Sequence, residues 1–155
     1  GRYSDVCFSH SSQNRTSLHD LEVVQFREQL LPKNSFQSLV NLSELIVLDI
    51  SGCQFDQADL AQLTKCKRLR VLVLNRCELK NDGIVALSKS SIEGISIVDS
   101  VITDEDFTRF HDISSLRWLV VGERSLPVPM RNSFYGAVRI AETMYCCYGL
   151  PKFQL

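Results

Sequence analysis

Six cysteines and three histidines are the side chains most able to do chemistry in this chain of 155 residues. Four such groups that converge can hold zinc, and a cysteine beside a histidine can act as a nucleophile. Neither pattern forms. Cys7, Cys66, Cys146 and Cys147 show no C-x-x-C spacing and no histidine at ligand distance. His10, His19 and His111 fall in a polar lead, at the start of the first predicted strand and at a helix end, so no two share a register. Cys146 and Cys147 lack a basic neighbour to lower a thiol pKa. There is no G-x-S-x-G, no glycine loop to cradle phosphate and no His/Glu metal motif. The sequence predicts no enzyme, no metal and no cofactor.

Cys53 and Cys77 differ from the rest, because both stand at one place in a recurring line. Leu45-x-x-Leu48-x-Ile50-x-x-Cys53-x-Phe55 returns as Leu69-x-x-Leu72-x-Leu74-x-x-Cys77-x-Leu79, then as Ile92-x-x-Ile95-x-Ile97-x-x-Ser100-x-Ile102. The copies start 69 − 45 = 24 and 92 − 69 = 23 residues apart, a period at which one short strand and one helix stack on their neighbours. An earlier copy is read as Leu18-x-x-Leu21-x-Val23, 45 − 18 = 27 residues upstream, its extra length holding Leu30-Leu31-Pro32. A fifth, Leu116-x-x-Leu119-x-Val121, has Arg124 in the cysteine register and diverges through Pro127 and Pro129. That register calls for a small buried side chain, so Cys53 and Cys77 are expected as free core thiols.

Helices must join these strands. Pro32 cannot donate to a ladder, so a loop leads into a helix across Asn34 to Leu42. Its core pair, Phe36 and Leu39, recurs as Leu60 and Leu63, Ile84 and Leu87, and Phe107 and Phe110, each spaced by three as one helical face requires. Asp56, then Asn81 or Asp82, then Thr103 with Asp106, are the expected amino-terminal caps. Phe134, Ala137, Val138, Ala141, Met144, Tyr145 and Tyr148 predict a closing amphipathic helix. The expected organisation is a lead or cap over 1–17, about five repeats over 18–131, and a capping helix and tail over 132–155. Val6-Cys7-Phe8 is read as a cap or as the remnant of an upstream repeat.

Residues 18–126 resemble the cysteine-containing subclass of leucine-rich repeats, the kind found in F-box and similar substrate receptors of cullin ligases, with Cys53 and Cys77 carrying the likeness. Ser100 and Arg124 depart from it, and no F-box or other ligase-recruiting segment is evident. The resemblance implies an α/β solenoid with a concave parallel β-sheet, outer helices and a C-terminal capping helix. It also implies protein recognition as the task. The alternatives are the substrate-recognition arm of a ubiquitin ligase and an RNA-binding adaptor.

Strand parity names the expected surface. Residues flanking the core leucines alternate to the concave face. They give a middle column of Glu22, Asp49, Val73, Ser96 and Val120. The column before it is Asp20, Val47, Val71, Gly94 and Trp118, and the column after it is Val24, Ser51, Asn75, Val98 and Gly122. The valines and Trp118 are expected to form an exposed apolar area, flanked by Arg70, Arg76 and Arg117. The candidate partner-binding residues are therefore Asp49, Arg70, Val71, Val73, Asn75, Arg76, Arg117, Trp118 and Val120. A net charge of −1 supplies no global attraction for nucleic acid or an anionic membrane. The basic run Lys65, Lys67, Arg68, Arg70 and Arg76 shares its face with acidic residues that would repel phosphates. No apolar run approaches the roughly 20 residues needed to cross a bilayer. Buried thiols fit a reducing, intracellular compartment, cytoplasmic or nuclear, and a start at Gly1 rather than Met fits an excised fragment. Neither the partner nor the oligomeric state is named by the sequence.

Overall fold

The computed structural model describes residues 6–9, 21–121 and 139–141. Seven short strands make one sheet whose spatial order follows the chain: β1 (Val6–Ser9), β2 (Val23–Phe26), β3 (Val47–Asp49), β4 (Val71–Val73), β5 (Gly94–Ser96), β6 (Trp118–Val120) and β7 (Arg139–Ala141). Strands β2 to β6 are parallel, β7 extends them in the same sense, and β1 runs antiparallel to β2. Each crossover between β2 and β6 carries a helical segment. The first two are the 3-10 helices Ser35–Asn41 and Gln57–Lys65. Then come α1 (Asn81–Ala86), continued by Leu87–Lys89, and α2 (Asp104–Thr108), continued by Arg109–Asp112. The chain is α/β, with helices on a parallel sheet.

The core lies between the sheet and these helices. Leu45, Leu48, Ile50, Leu69, Leu72, Leu74, Ile92, Ile95, Ile97, Leu116, Leu119 and Val121 fill it from the strand side. The pairs Phe36 and Leu39, Leu60 and Leu63, Ile84 and Leu87, and Phe107 and Phe110 fill it from the helices, each residue at most 5% exposed. Burying one such side chain contributes about 1.5–3 kcal/mol. Rings meet at both ends of this layer: Phe36 against Phe55 and Phe107 against Phe110, each with centroids 5.8 Å apart.

Strand pairing corrects the first copy. Val24 lies opposite Leu48 and Gln25 opposite Asp49. The line therefore begins at Leu21-x-x-Val24-x-Phe26, 45 − 21 = 24 residues before Leu45, and needs no extra length. Val24 is core, 1% exposed. The face columns begin with Val23 and Gln25, and Glu22 is not part of them. Both readings satisfy the apolar spacing, but only this one lets consecutive parallel strands exchange backbone hydrogen bonds without a bulge.

Caps come from two sources. Asp56 accepts from Ala58 N at 3.1 Å and Thr103 Oγ1 from Asp106 N at 3.1 Å, as their side-chain types dictate. Helix α1 is different: its cap is Lys80, not Asn81 or Asp82. The missing acceptor arrives from the preceding crossover, where Gln57 Oε1 takes the Lys80 N–H at 3.2 Å and Gln57 Nε2 donates to Glu78 O at 2.9 Å. Asn34, in the left-handed region at φ 63, likewise donates its N–H to Asp59 of the next crossover at 2.7 Å.

Arg139–Ala141, placed in the closing helix by residue spacing, is strand β7. Its ladder with β6 overrides a helical period that seven apolar residues carry. The rest of the expected helix lies outside the described residues, as do Asp20, Gly122, Arg124, His10, His19, Cys146 and Cys147.

Candidate functional site

On the sheet face turned away from the helices, Val47, Val71 and Val73 form a second apolar cluster, with Val23 and Ile46 packed against it. The sequence placed these valines in water. Val71, Val73 and Val120 are instead 7%, 8% and 8% exposed. Strands about 4.8 Å apart let β-branched side chains of one column shade each other's flanks. Trp118 is half-buried and Arg117 exposed.

The polar candidates mostly hold the fold together. The buried Asp49 carboxylate accepts from Ser51 N at 3.0 Å and Ser51 Oγ at 2.5 Å, and lies 3.4 Å from the Arg27 guanidinium. Asn75 Oδ1 accepts from Ser96 Oγ at 2.7 Å and Val98 N at 2.8 Å, tying β4 to β5 beyond their ladder. Arg70 pairs with Glu93 at 3.3 Å and donates to the Lys67 carbonyl at 2.9 Å. Arg76 pairs with Glu28 at 3.1 Å. The basic run is likewise engaged: Arg68 pairs with Glu44, Lys65 donates to Gln62 and Lys67 to the Thr64 carbonyl. Asp49, Arg70, Asn75 and Arg76 are thus joined to neighbouring strands and turns. Arg117 makes no ion pair among the described residues.

A column of left-handed residues follows the strands. Glu28, Gly52, Arg76 and Asp99 have φ of 52, 68, 55 and 56. The first three turn the chain so that their N–H groups continue the sheet ladder: Glu28 to Ser51 O, Gly52 to Asn75 O and Arg76 to Val98 O, at 2.8–3.0 Å. The next residue then points back inside. Cys53 Sγ donates to Phe26 O at 3.3 Å, Cys77 Sγ to Ile50 O at 3.3 Å and Ser100 Oγ to Leu74 O at 2.6 Å. The cysteine register therefore selects a small donor to the preceding strand's last core residue, and serine meets that demand too. In the corrected first copy the register holds Gln29, whose Nε2 is buried without a hydrogen-bond partner among the described residues. The strand before it, unlike those before the other copies, runs antiparallel.

The thiols are chemically quiet. Burial raises the pKa of Cys53, Cys66 and Cys77, and pushes Cys77 up to about 11 despite backbone donors from Gly52 and Cys53. All three are free and buried. A thiol held protonated neither attacks nor binds metal readily. Among the described residues no cluster of His, Cys, Asp and Glu could hold a metal ion, and no helix is long and apolar enough to cross a membrane.

Sequence reasoning missed two features, and a signal was available for the first. Glu28, Gly52, Arg76 and Asp99 directly precede the cysteine register, at intervals of 52 − 28 = 24, 76 − 52 = 24 and 99 − 76 = 23 residues, and Gly52 marks the left-handed turn. Gln57 gave no local signal, because its partners are in the next crossover. The chain matches no protein-family model and no curated protein at a significant level of sequence similarity.

Proposed function

We propose that the chain is a leucine-rich-repeat solenoid acting as a non-catalytic recognition module, which binds a protein partner on the sheet face away from the helices. The observation that carries this reading is the second apolar cluster, Val47, Val71 and Val73, on a face that the core does not need. A sheet packed by helices on one side only commonly has polar residues on the other. Here Val23, Val47 and Val71 of one column, with Val73 beside them, make an aliphatic patch bordered by Arg70, Glu93 and Arg117, the mix of apolar centre and charged rim that contact surfaces use. Trp118 adds the residue type most enriched at binding hot spots.

Raised thiol pKa values on Cys53, Cys66 and Cys77 support a non-catalytic reading. Engagement of Arg68, Arg70 and Arg76 with carboxylates favours protein over RNA, since phosphate binding draws on unpaired cations. The ubiquitin-ligase arm is a special case of the same surface joined to an adaptor-binding segment. The test is affinity capture from lysate on wild type and Trp118→Ala side by side, with every captured protein then measured purified. The reading requires one that binds wild type and loses affinity for the variant.

A further inference from the structure

We propose that Gly94 floors a recess on this face that admits an aliphatic side chain flanked by a carboxylate on the protein partner; the proposal rests on the recognition reading above. The third-position column reads Val23, Val47, Val71, Gly94, Trp118 across β2 to β6. One member lacks a side chain. Nothing in the fold demands that: Gly94 is not in the left-handed region, and a Cβ there would meet only Trp118 Cβ and Val71 Cγ2, each at an ordinary 3.9 Å. Glycine inside a strand weakens it, and one kept without a backbone or packing reason marks a place where another group approaches.

The recess has defined walls. Val71 stands on one side and Trp118 on the other, two strand spacings apart, or about 9–10 Å between backbones. After the wall atoms' own radii, the gap takes a branched aliphatic chain. Charge at its border is one-sided. Ile46 packs on the valine cluster, so its column of Glu22, Ile46, Arg70, Glu93 and Arg117 borders the face, with Glu22 at the end far from the recess. Arg70 and Glu93 cancel at 3.3 Å. The exposed Arg117, adjacent to the Trp118 wall, leaves one positive charge, which calls for an anion beside the inserted side chain.

Trp118 is the chain's single tryptophan, so its emission reports on the recess directly. Two blocked peptides serve as probes, leucine followed by two glutamates and leucine followed by two lysines, titrated at low salt into the full chain. The glutamate peptide should shift the emission saturably and bind at least tenfold tighter than the lysine peptide. Gly94→Val should abolish the shift while melting no lower than wild type, and Arg117→Glu should reverse the preference. If the valine variant melts lower, Gly94→Ala is read in its place, with an expected weakening of at least threefold. Absence of a saturable shift with either peptide, or undiminished affinity in the Gly94 variants, overturns the proposal. A captured partner that needs Trp118 but tolerates Gly94→Val removes the recess and leaves the recognition surface standing.

Discussion

The Arg76 guanidinium meets the Glu28 carboxylate at 3.1 Å although two strands and two helical segments separate them in the chain. It can do so because the residue between them in the left-handed column is Gly52. A side chain there would stand 3.0 Å from Glu28 Cγ, under the path that Arg76 takes.

Gly52→Ala should therefore destabilise the fold by about 1–2 kcal/mol, combining the left-handed penalty of a Cβ with displacement of Glu28. Chemical denaturation measures it. The Arg76→Ala variant should change stability by less than about 1 kcal/mol, since that pair is exposed. A harmless Gly52→Ala would mean that the turn relaxes freely.

Gln57 and Gly83 should be coupled. A Cβ on Gly83 would run into Gln57 Oε1 and come within 3.0 Å of Leu60 Cδ1. Gly83→Ala should then cost about 1–2 kcal/mol by expelling the Gln57 side chain from the Lys80 N–H, even though alanine favours helix. In a Gln57→Ala background the same substitution should cost markedly less. A double-mutant cycle reads the difference, and strict additivity would show that the glutamine is not what Gly83 makes room for.

Cys77 should make stability fall in alkali. Its folded pKa, about 11, lies above the ordinary value of 9.0, so folding favours the protonated thiol. That contribution is fully present below pH 9.0 and is lost as pH rises through about 11. The difference approaches about 2–3 kcal/mol at the upper end. The unfolding free energy of wild type, measured from pH 7 to 11, should fall below that of Cys77→Ser by that amount. Serine should lose little at neutral pH, because Ser100 already makes the equivalent bond to Leu74 O.

Trp118→Ala should cost a partner about 2 kcal/mol or more of affinity if this is the hot spot. The melting temperature should move much less, since a half-buried side chain on the outer face leaves no core cavity. A collapse of stability with unchanged affinity would shift the contact to the helices or loops.

The apolar lattice was legible in the sequence because burial is encoded residue by residue: every helical pair from Phe36 and Leu39 to Phe107 and Phe110 stands where its spacing put it. The first register was not, because Leu18, Leu21 and Val24 satisfy the same spacing in two ways and only interstrand pairing chooses. Reading of the face went wrong for a similar reason. Parity gives the direction of Val71 and Val73 but not how much their neighbours shade them, and Asn75 or Arg70 look like free contact residues until the atoms across the sheet are placed. The strand at Arg139–Ala141 was hidden because an unpaired edge of β6 competes with helical periodicity there.

The sheet ladder, the left-handed turns and the Cys53, Cys77 and Ser100 donors each tie one strand or turn to the neighbouring one, and each recurs at intervals of 23 or 24 residues. Length can then change in whole quanta. Excising residues 48–71 would join Val47 to Leu72 and bring Leu74 and Cys77 to the places that Ile50 and Cys53 now hold beside Phe26, whereas a cut of half that length would leave every later carbonyl facing the wrong partner.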